Sequence, residues 1–362
     1  MRRIQFVAAV VLGIAMLVCI GLAQQAPAAG PYKILKQAKV GGAGGFDYVY
    51  ADVDGRRLYI PRTGNPARVT VFDLDTLAPV GEIANANARG AAVDPKSGHG
   101  FASSKPVVMW DTKTLATIKT IDVQGNPDGI LFDPFNARVW VFSHSQPNAT
   151  VINAADGSVA GTVDLGGAPE QAATDGKGHL FVDIEDKDSI AAVDAKTLTV
   201  TAHFDLAGKC GGPGGLGYDA KNRILFATCH NPAVMAIVGA DDGKVITTLP
   251  IGAGTDGGGF NPNTMEAFSS GGGSGTLTVV KENSSSSFVV EQELPTMPGG
   301  KTMTIDSKTN RVLIIAAEYA APAAPATPPA QPPAEGGRGG RGGRGGRGQM
   351  VPDSFTIVSV GK

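Results

Sequence analysis

The chain of 362 residues is poor in several things. Aromatic residues make up 6% and charged residues 18%, and only three cysteines and two tryptophans occur. So few cysteines exclude a disulfide-built mini-scaffold and the paired Cys motifs of structural zinc modules. After residue 23 no apolar run approaches the roughly 20 residues that span a bilayer as a helix. No block of acidic or basic residues suggests a polyelectrolyte tail, apart from four arginines spaced through glycine near the C-terminus. Glycine is the opposite case. Its 50 residues are about double the average share, and each Gly within a helix costs ~1 kcal/mol relative to Ala. A helical protein is therefore disfavoured. Wholesale disorder is disfavoured too, since 42% of residues are hydrophobic. A turn-rich, all-β chain with a real core is the reading that remains.

The first 23 residues have the form of an export signal: Arg2 and Arg3, an uncharged apolar stretch from Phe6 to Leu22, then small residues at Gly21 and Ala23. Residues 24–31 read as a leader linker, and 32–362 as the folded body. A periplasmic or secreted location is expected, with membrane attachment only if the signal stays uncleaved. The formal charge of −2 hides an asymmetry. Without Arg2, Arg3 and the segment 320–350, the body carries 25 basic and 32 acidic residues, a net −7. Such a surface is a poor general match for a polyanion.

An internal repeat organises the body. Asp recurs seven residues before a large apolar residue at Asp52/Tyr59, Asp94/Phe101, Asp133/Trp140, Asp219/Phe226 and Asp306/Leu313. Asp175/Phe181 is one residue shorter, and Asn261/Phe268 replaces Asp by Asn. Successive anchors lie 42, 39, 42, 44, 42 and 45 residues apart. Each unit reads as four short strands, with the anchor in the first turn, where Asp and Asn side chains bond nearby N–H groups. Four strands per ~42 residues is the signature of a propeller blade. The last unit supplies three strands, and Tyr32–Val40 is a spare strand at the other end. A seven-bladed β-propeller follows, all-β, its last blade closed by the N-terminal strand and leaving no open edge.

The units resemble the YVTN-repeat, or YncE-like, seven-bladed propellers of exported bacterial proteins. The matching pieces are Asp54-Gly-Arg-Arg-Leu-Tyr-Ile60, Asn222-Arg-Ile-Leu-Phe-Ala-Thr228 and the Asp-x-x-Thr-Leu endings at 73–77, 111–115 and 194–198. The resemblance implies the fold. Its wider relatives include binding propellers, lactonases and cofactor-carrying domains, and no shared catalytic motif transfers residue by residue.

In a propeller, the loops leading into the inner strands and the loops joining second to third strands ring one mouth of the central channel. The first set places Asp47, Arg89, Asp128, Glu170, Asp256 and Lys301 there. The second offers Arg62, His144, Glu185, Asp186, His230 and Glu318. A small molecule, peptide or partner protein bound at this mouth is the expected function, with the body a monomer. A polar rim is also what any propeller carries. Asp47, Asp128 and Asp256 hold equivalent places and are expected to face one another, which raises a carboxyl pKa or attracts a cation. No pair has diagnostic metal spacing, so no metal or cofactor is assigned. The enzymatic alternative is a lactonase-like hydrolase or lyase using His144, His230 and nearby carboxylates.

Cys210 and Cys229 fall on this same face of blade five, and a disulfide is expected outside the cytoplasm. The rival arrangement is two thiols and His230 holding a soft metal. Gly212-Pro-Gly-Gly-Leu-Gly217 matches G-x-G-x-x-G but enters a strand, so no dinucleotide site is read from it. The Pro/Ala- and Gly/Arg-rich segment 320–350 interrupts blade seven and is expected to be a disordered insertion. Its Arg338, Arg341, Arg344 and Arg347 leave open a nucleic-acid or anionic-polymer partner.

Overall fold

The computed structural model describes residues 30–320 and 349–362. The signal segment, almost all of the leader, and 321–348 of the insertion lie outside the described residues. Seven four-stranded antiparallel sheets form seven blades. Blades one to six occupy residues 50–84, 91–121, 127–163, 169–205, 211–250 and 255–295 in simple up-and-down order. Blade seven takes Thr302–Asp306, Arg311–Ala316 and Thr356–Gly361, and its outer strand is Lys33–Lys39. That pairing runs from Lys33 against Gly361 to Lys39 against Thr356. The closure expected from the repeat is thus the closure found. Among the described residues the one helical turn is Glu185–Lys187.

The repeated Asp ends the inner strand, or directly follows it at Asp175, and holds the turn that comes next. Its Oδ1 accepts from Gly55 N–H at Asp52 (2.9 Å), Lys96 N–H at Asp94 (2.9 Å) and Lys221 N–H at Asp219 (2.9 Å). Asn261 does the same for Asn263 N–H at 3.1 Å. The Asp-x-x-Thr-Leu endings are a second capped turn. Asp73, Asp111 and Asp194 accept from the N–H groups of Thr76, Thr114 and Thr197 at 2.8, 2.8 and 2.9 Å. Leu77, Leu115 and Leu198 then sit in the left-handed region, at φ 58°, 61° and 58°. Gly81 and Gly161, in the outer strands of blades one and three, meet Leu115 and Leu198 of the next blade, where a Cβ would stand 2.9 and 2.8 Å from a leucine methyl. Side-chain contact between neighbouring blades offsets the left-handed backbone cost of about 1–2 kcal/mol.

Among the described residues the core is seven clusters, one at each interface between blades. Trp140 and Phe142 pack with Leu180 and Val182 of blade four. From the same strand, Val139 and Val141 face the opposite way onto Phe101 and Met109 of blade two. The second strands are therefore buried on both faces and read as continuous apolar runs.

The insertion leaves blade seven through a short stem. Ala320 N–H donates to Gln349 O at 2.9 Å and Val351 N–H to Glu318 O at 2.8 Å. Its two ends are thus held side by side.

Candidate functional site at the channel mouth

Four inner strands begin with a register shift against their second strand, between Pro127 and Ile130, Pro169 and Ala172, Pro213 and Gly215, and Thr255 and Gly258. Such bulges re-aim side chains. The first residues inside them are Asp128, Glu170, Gly214 and Asp256. Gly214 is the exception without a side chain, and its place is filled from above: a Cβ there would stand 3.0 Å from His230 Nε2 and 3.6 Å from Asp256 Oδ1. Blade five thus contributes His230 instead.

The side chains meet in a chain of opposite charges running round the mouth. Lys301 Nζ contacts Asp47 Oδ1 at 2.9 Å. Asp47 Oδ2 lies 3.1 Å from Arg89, and Arg89 lies 3.6 Å from Asp128 Oδ1. His144 Nε2 sits 3.2 Å from Asp128 Oδ2 and 3.0 Å from Glu170 Oε1. On the far side His230 Nε2 is 3.5 Å from Asp256 Oδ1, and Asp256 contacts Lys301 to rejoin the start. Glu185 lies between the two histidines electrostatically, feeling both His144 and His230 as well as Glu170. Tyr48 Oη donates to Glu170 Oε2 at 2.7 Å and fixes that carboxylate from behind.

Burial and crowding set the protonation of this ring. Burial, with Glu170 and Asp47 nearby, pushes the Asp128 carboxyl up to about 7 against the pull of Arg89 and His144. Contact with Glu170 outweighs burial at His144 and raises it to about 9. His230 is raised chiefly by Asp256. Burial opposes the charge on Asp256, yet His230 and Lys301 hold that carboxyl down at about 2. Burial likewise works against the Lys301 ammonium, and Asp256 and Asp47 outweigh it, keeping it above the usual lysine value. Burial and Glu170 raise Glu185. Five carboxylates face Arg89, Lys301 and two titratable histidines, so the mouth has charges of both signs and is net acidic when the histidines are neutral.

Below the ring, the channel holds a cavity of about 320 Å³ lined by the polar Tyr48, Glu170, Gln171 and Asp256 and by apolar inner-strand residues such as Ile130, Leu216 and Met303. A second, of about 350 Å³, opens beside Asp47 and Arg89, with Asn87, Ser103 and Lys105 on its wall. Gln171 clamps three blades together. Its Oε1 accepts from Gly258 N–H at 3.1 Å and Leu216 N–H at 3.3 Å, and its Nε2 donates to Gly258 O at 2.9 Å. The glycine run of blade five has a packing role: a Cβ on Gly215 or Gly217 would lie 2.4 or 2.7 Å from the backbone of blade six.

Of the residues singled out in the sequence, the structure brings together Asp47, Arg89, Asp128, His144, Glu170, Glu185, His230, Asp256 and Lys301. Arg62 is elsewhere in its contacts. It is 1% exposed and donates to the carbonyls of Gly41, Gly42 and Gly44 at 3.2, 3.0 and 3.2 Å. Its guanidinium lies 3.8 Å over the Phe355 ring. Burial lowers its pKa to about 10. Arg62 therefore anchors the loop leading into blade one. Cys210 and Cys229 form a disulfide with Cα atoms 5.3 Å apart. Arg338, Arg341, Arg344 and Arg347 lie outside the described residues. Tyr48 and Gln171 were not singled out, although each directly follows a ring residue in sequence. Asp183 was missed as well; it is fully buried under the mouth with neither carboxylate oxygen hydrogen-bonded.

Comparison with solved structures agrees on architecture. The WD40 repeats of RRP9 superpose with a TM-score of 0.68 at 11% identity, covering 93% of this chain and 99% of theirs. The structure of U3-55K gives 0.67 at 11% identity over 91% and 98%. A chain of Kuenenia stuttgartiensis hydrazine synthase gives 0.64 at 16% identity over 75% and 92%. The shared feature is the β-propeller fold. No family model and no curated protein sequence matches the chain.

Proposed function

We propose that this propeller is an exported binding protein of the YVTN-repeat type, which takes a small polar ligand bearing both charged and hydrogen-bonding groups at its channel mouth. The observation that carries the reading is the ring of ion-paired side chains, supplied by strand ends and loops of all seven blades and standing over a cavity of about 320 Å³. A solvated rim has no need to bury Asp128 or to set two histidines against carboxylates. Export is supported by the N-terminal sequence pattern and by a disulfide in the body.

The test is a thermal-shift screen of the mature protein with sugar acids, amino acids and dicarboxylates, followed by calorimetry on the hits. A ligand raises the melting temperature as its concentration exceeds Kd. Asp256→Asn and Lys301→Met should abolish the shift. A flat response across the screen would sink the reading in favour of a scaffold whose partner is a protein.

A second reading is favoured by one observation: His144 stands between two carboxylates in a half-buried site, the arrangement of a general acid or base. Hydrolysis or ring-opening of a lactone is the activity to assay, and loss on His144→Ala but not on His203→Ala is the expected signature.

A further inference from the structure

We propose that Asp128, His144 and Glu170 form a binding site for one divalent transition-metal ion, with Zn²⁺ and Mn²⁺ the fitting candidates. The proposal deepens the binding reading above, because it supplies an electrophilic anchor for a ligand at the same mouth.

The geometry of the three donors carries it. One ligand atom from each residue lies within 4.8 Å of the other two. The His144 Nε2 edges of this triangle are 3.2 Å to Asp128 Oδ2 and 3.0 Å to Glu170 Oε1. Nitrogen and oxygen ligands about 2.0–2.2 Å from a common ion stand roughly 3.0–3.4 Å apart when adjacent. A second, independent feature is the direction of the donors. His144 Nε2 is buried, yet neither oxygen lies where an in-line hydrogen bond from the ring N–H would reach it. Acceptors of a hydrogen bond would lie along the ring axis; adjacent ligands of a shared ion lie to either side of it. Asp128 adds a third feature. Its side chain is 7% exposed, and its Oδ1 has no hydrogen bond, with Arg89 no nearer than 3.6 Å. Arg89 compensates this buried carboxylate only at 3.6 Å and only at Oδ1, and a cation at Oδ2 would complete the compensation.

The surroundings suit an ion. Tyr48 donates to the free oxygen of Glu170 at 2.7 Å, the kind of outer-shell bond that orients a metal-ligating carboxylate. His144 is 27% exposed, which leaves the open side toward the channel mouth for water or a ligand. One imidazole and two carboxylates are donors that favour Zn²⁺ or Mn²⁺ over soft Cu(I). Three protein ligands and an open position are the pattern of reactive rather than purely structural sites. Glu185, close enough to act electrostatically on His144, adds further negative charge.

The experiment uses the full mature chain, dialysed against EDTA and then against metal-free buffer. Isothermal titration with ZnCl₂ and, separately, MnCl₂ should show one ion bound per chain. His144→Ala and Glu170→Gln should each weaken binding by at least the ~10–100-fold that loss of outer-shell support alone costs, and Tyr48→Phe by about 10-fold. His203→Ala, on the exposed outer strand of blade four, should leave it unchanged. Circular dichroism and a melt verify folding of each variant, and Glu170→Gln preserves size should His144→Ala fail to fold. No saturable binding by the wild type, or equal binding by wild type and both ligand variants, overturns the site. Metal binding with no ligand in the thermal-shift screen upholds the site while the ligand reading fails. Ligand binding unaltered by EDTA, together with no metal binding, does the reverse.

Discussion

Breaking the Cys210–Cys229 cross-link should cost the protein about 3 kcal/mol, by a route that distinguishes a disulfide from two buried thiols. The bridge closes a loop with a sequence separation of 19 residues. The loop-entropy relation gives about 3 kcal/mol at 25 °C for that length. Both cysteines are also in the core between blades four and five, at 1% and 0% exposure, beside Phe181, Leu216 and Ala236. Cys210→Ala, Cys229→Ala and the double variant should be compared by guanidinium denaturation, with and without reductant. Either single substitution removes the whole cross-link. Each alone should therefore cost about 3 kcal/mol, and the double about the same plus the packing lost with the second sulfur. Reductant should destabilise the wild type and leave all three variants unmoved. The bridge also fixes Gly212 beside His230, so ligand affinity at the mouth should weaken in parallel. Small, additive effects of the single variants, with no response to reductant, would refute the reasoning.

Other expectations follow from buried charge and from the insertion. Burial and the nearby Glu170 raise the Asp183 carboxyl well above its usual value, so between the unfolded and the folded value it is protonated in the fold and ionised in the unfolded chain. Its contribution to stability is therefore fully present below about pH 3.9 and declines by about 1.4 kcal/mol per pH unit above that. Asp183→Asn should flatten this decline in urea denaturation between pH 4 and 7, and parallel profiles would contradict it. On the opposite face, Arg56 spans Asp75 and the fully buried Asp306. Burial opposes the Asp306 charge, but Arg56, Thr309 and Arg311 hold its carboxyl well below the usual range. That stability is present above about pH 3.9 and lost as pH falls through the lower folded value. Arg56→Gln should cost about 1–3 kcal/mol at pH 7 and less in acid, with an unchanged acid limb as the contrary result. Replacing 321–348 by a two-residue Asn-Gly turn should shift the melting temperature little, because Ala320 and Gln349 are already hydrogen-bonded at 2.9 Å. A large loss would show that the segment stabilises the fold.

The blades were legible because each must restate the same turns. An Asp in position to bond the N–H groups of Gly55 or Lys96 is visible as spacing alone. The channel mouth was legible for a related reason: the loops before the inner strands recur in register, so Asp47, Arg89, Asp128, Glu170, Asp256 and Lys301 could be grouped without coordinates. Sequence order cannot tell which way a strand-end side chain folds. Arg62 shares its face with His144 and His230 but turns back to the carbonyls of Gly41, Gly42 and Gly44. Asp183 lies within a strand whose apolar neighbours mask it. The pairing of His144 with both Asp128 and Glu170 depends on two bulges in neighbouring blades, and bulges leave no spacing signal.

The central claim is that the channel mouth is a built binding site. It is tested most directly by calorimetry of the mature protein against its best thermal-shift hit, alongside Asp256→Asn, Lys301→Met and the distant His203→Ala. Saturable 1:1 binding, lost in the two mouth variants and retained in the third, is the predicted result. No binding partner in the screen, or affinity indifferent to Asp256 and Lys301, would contradict it.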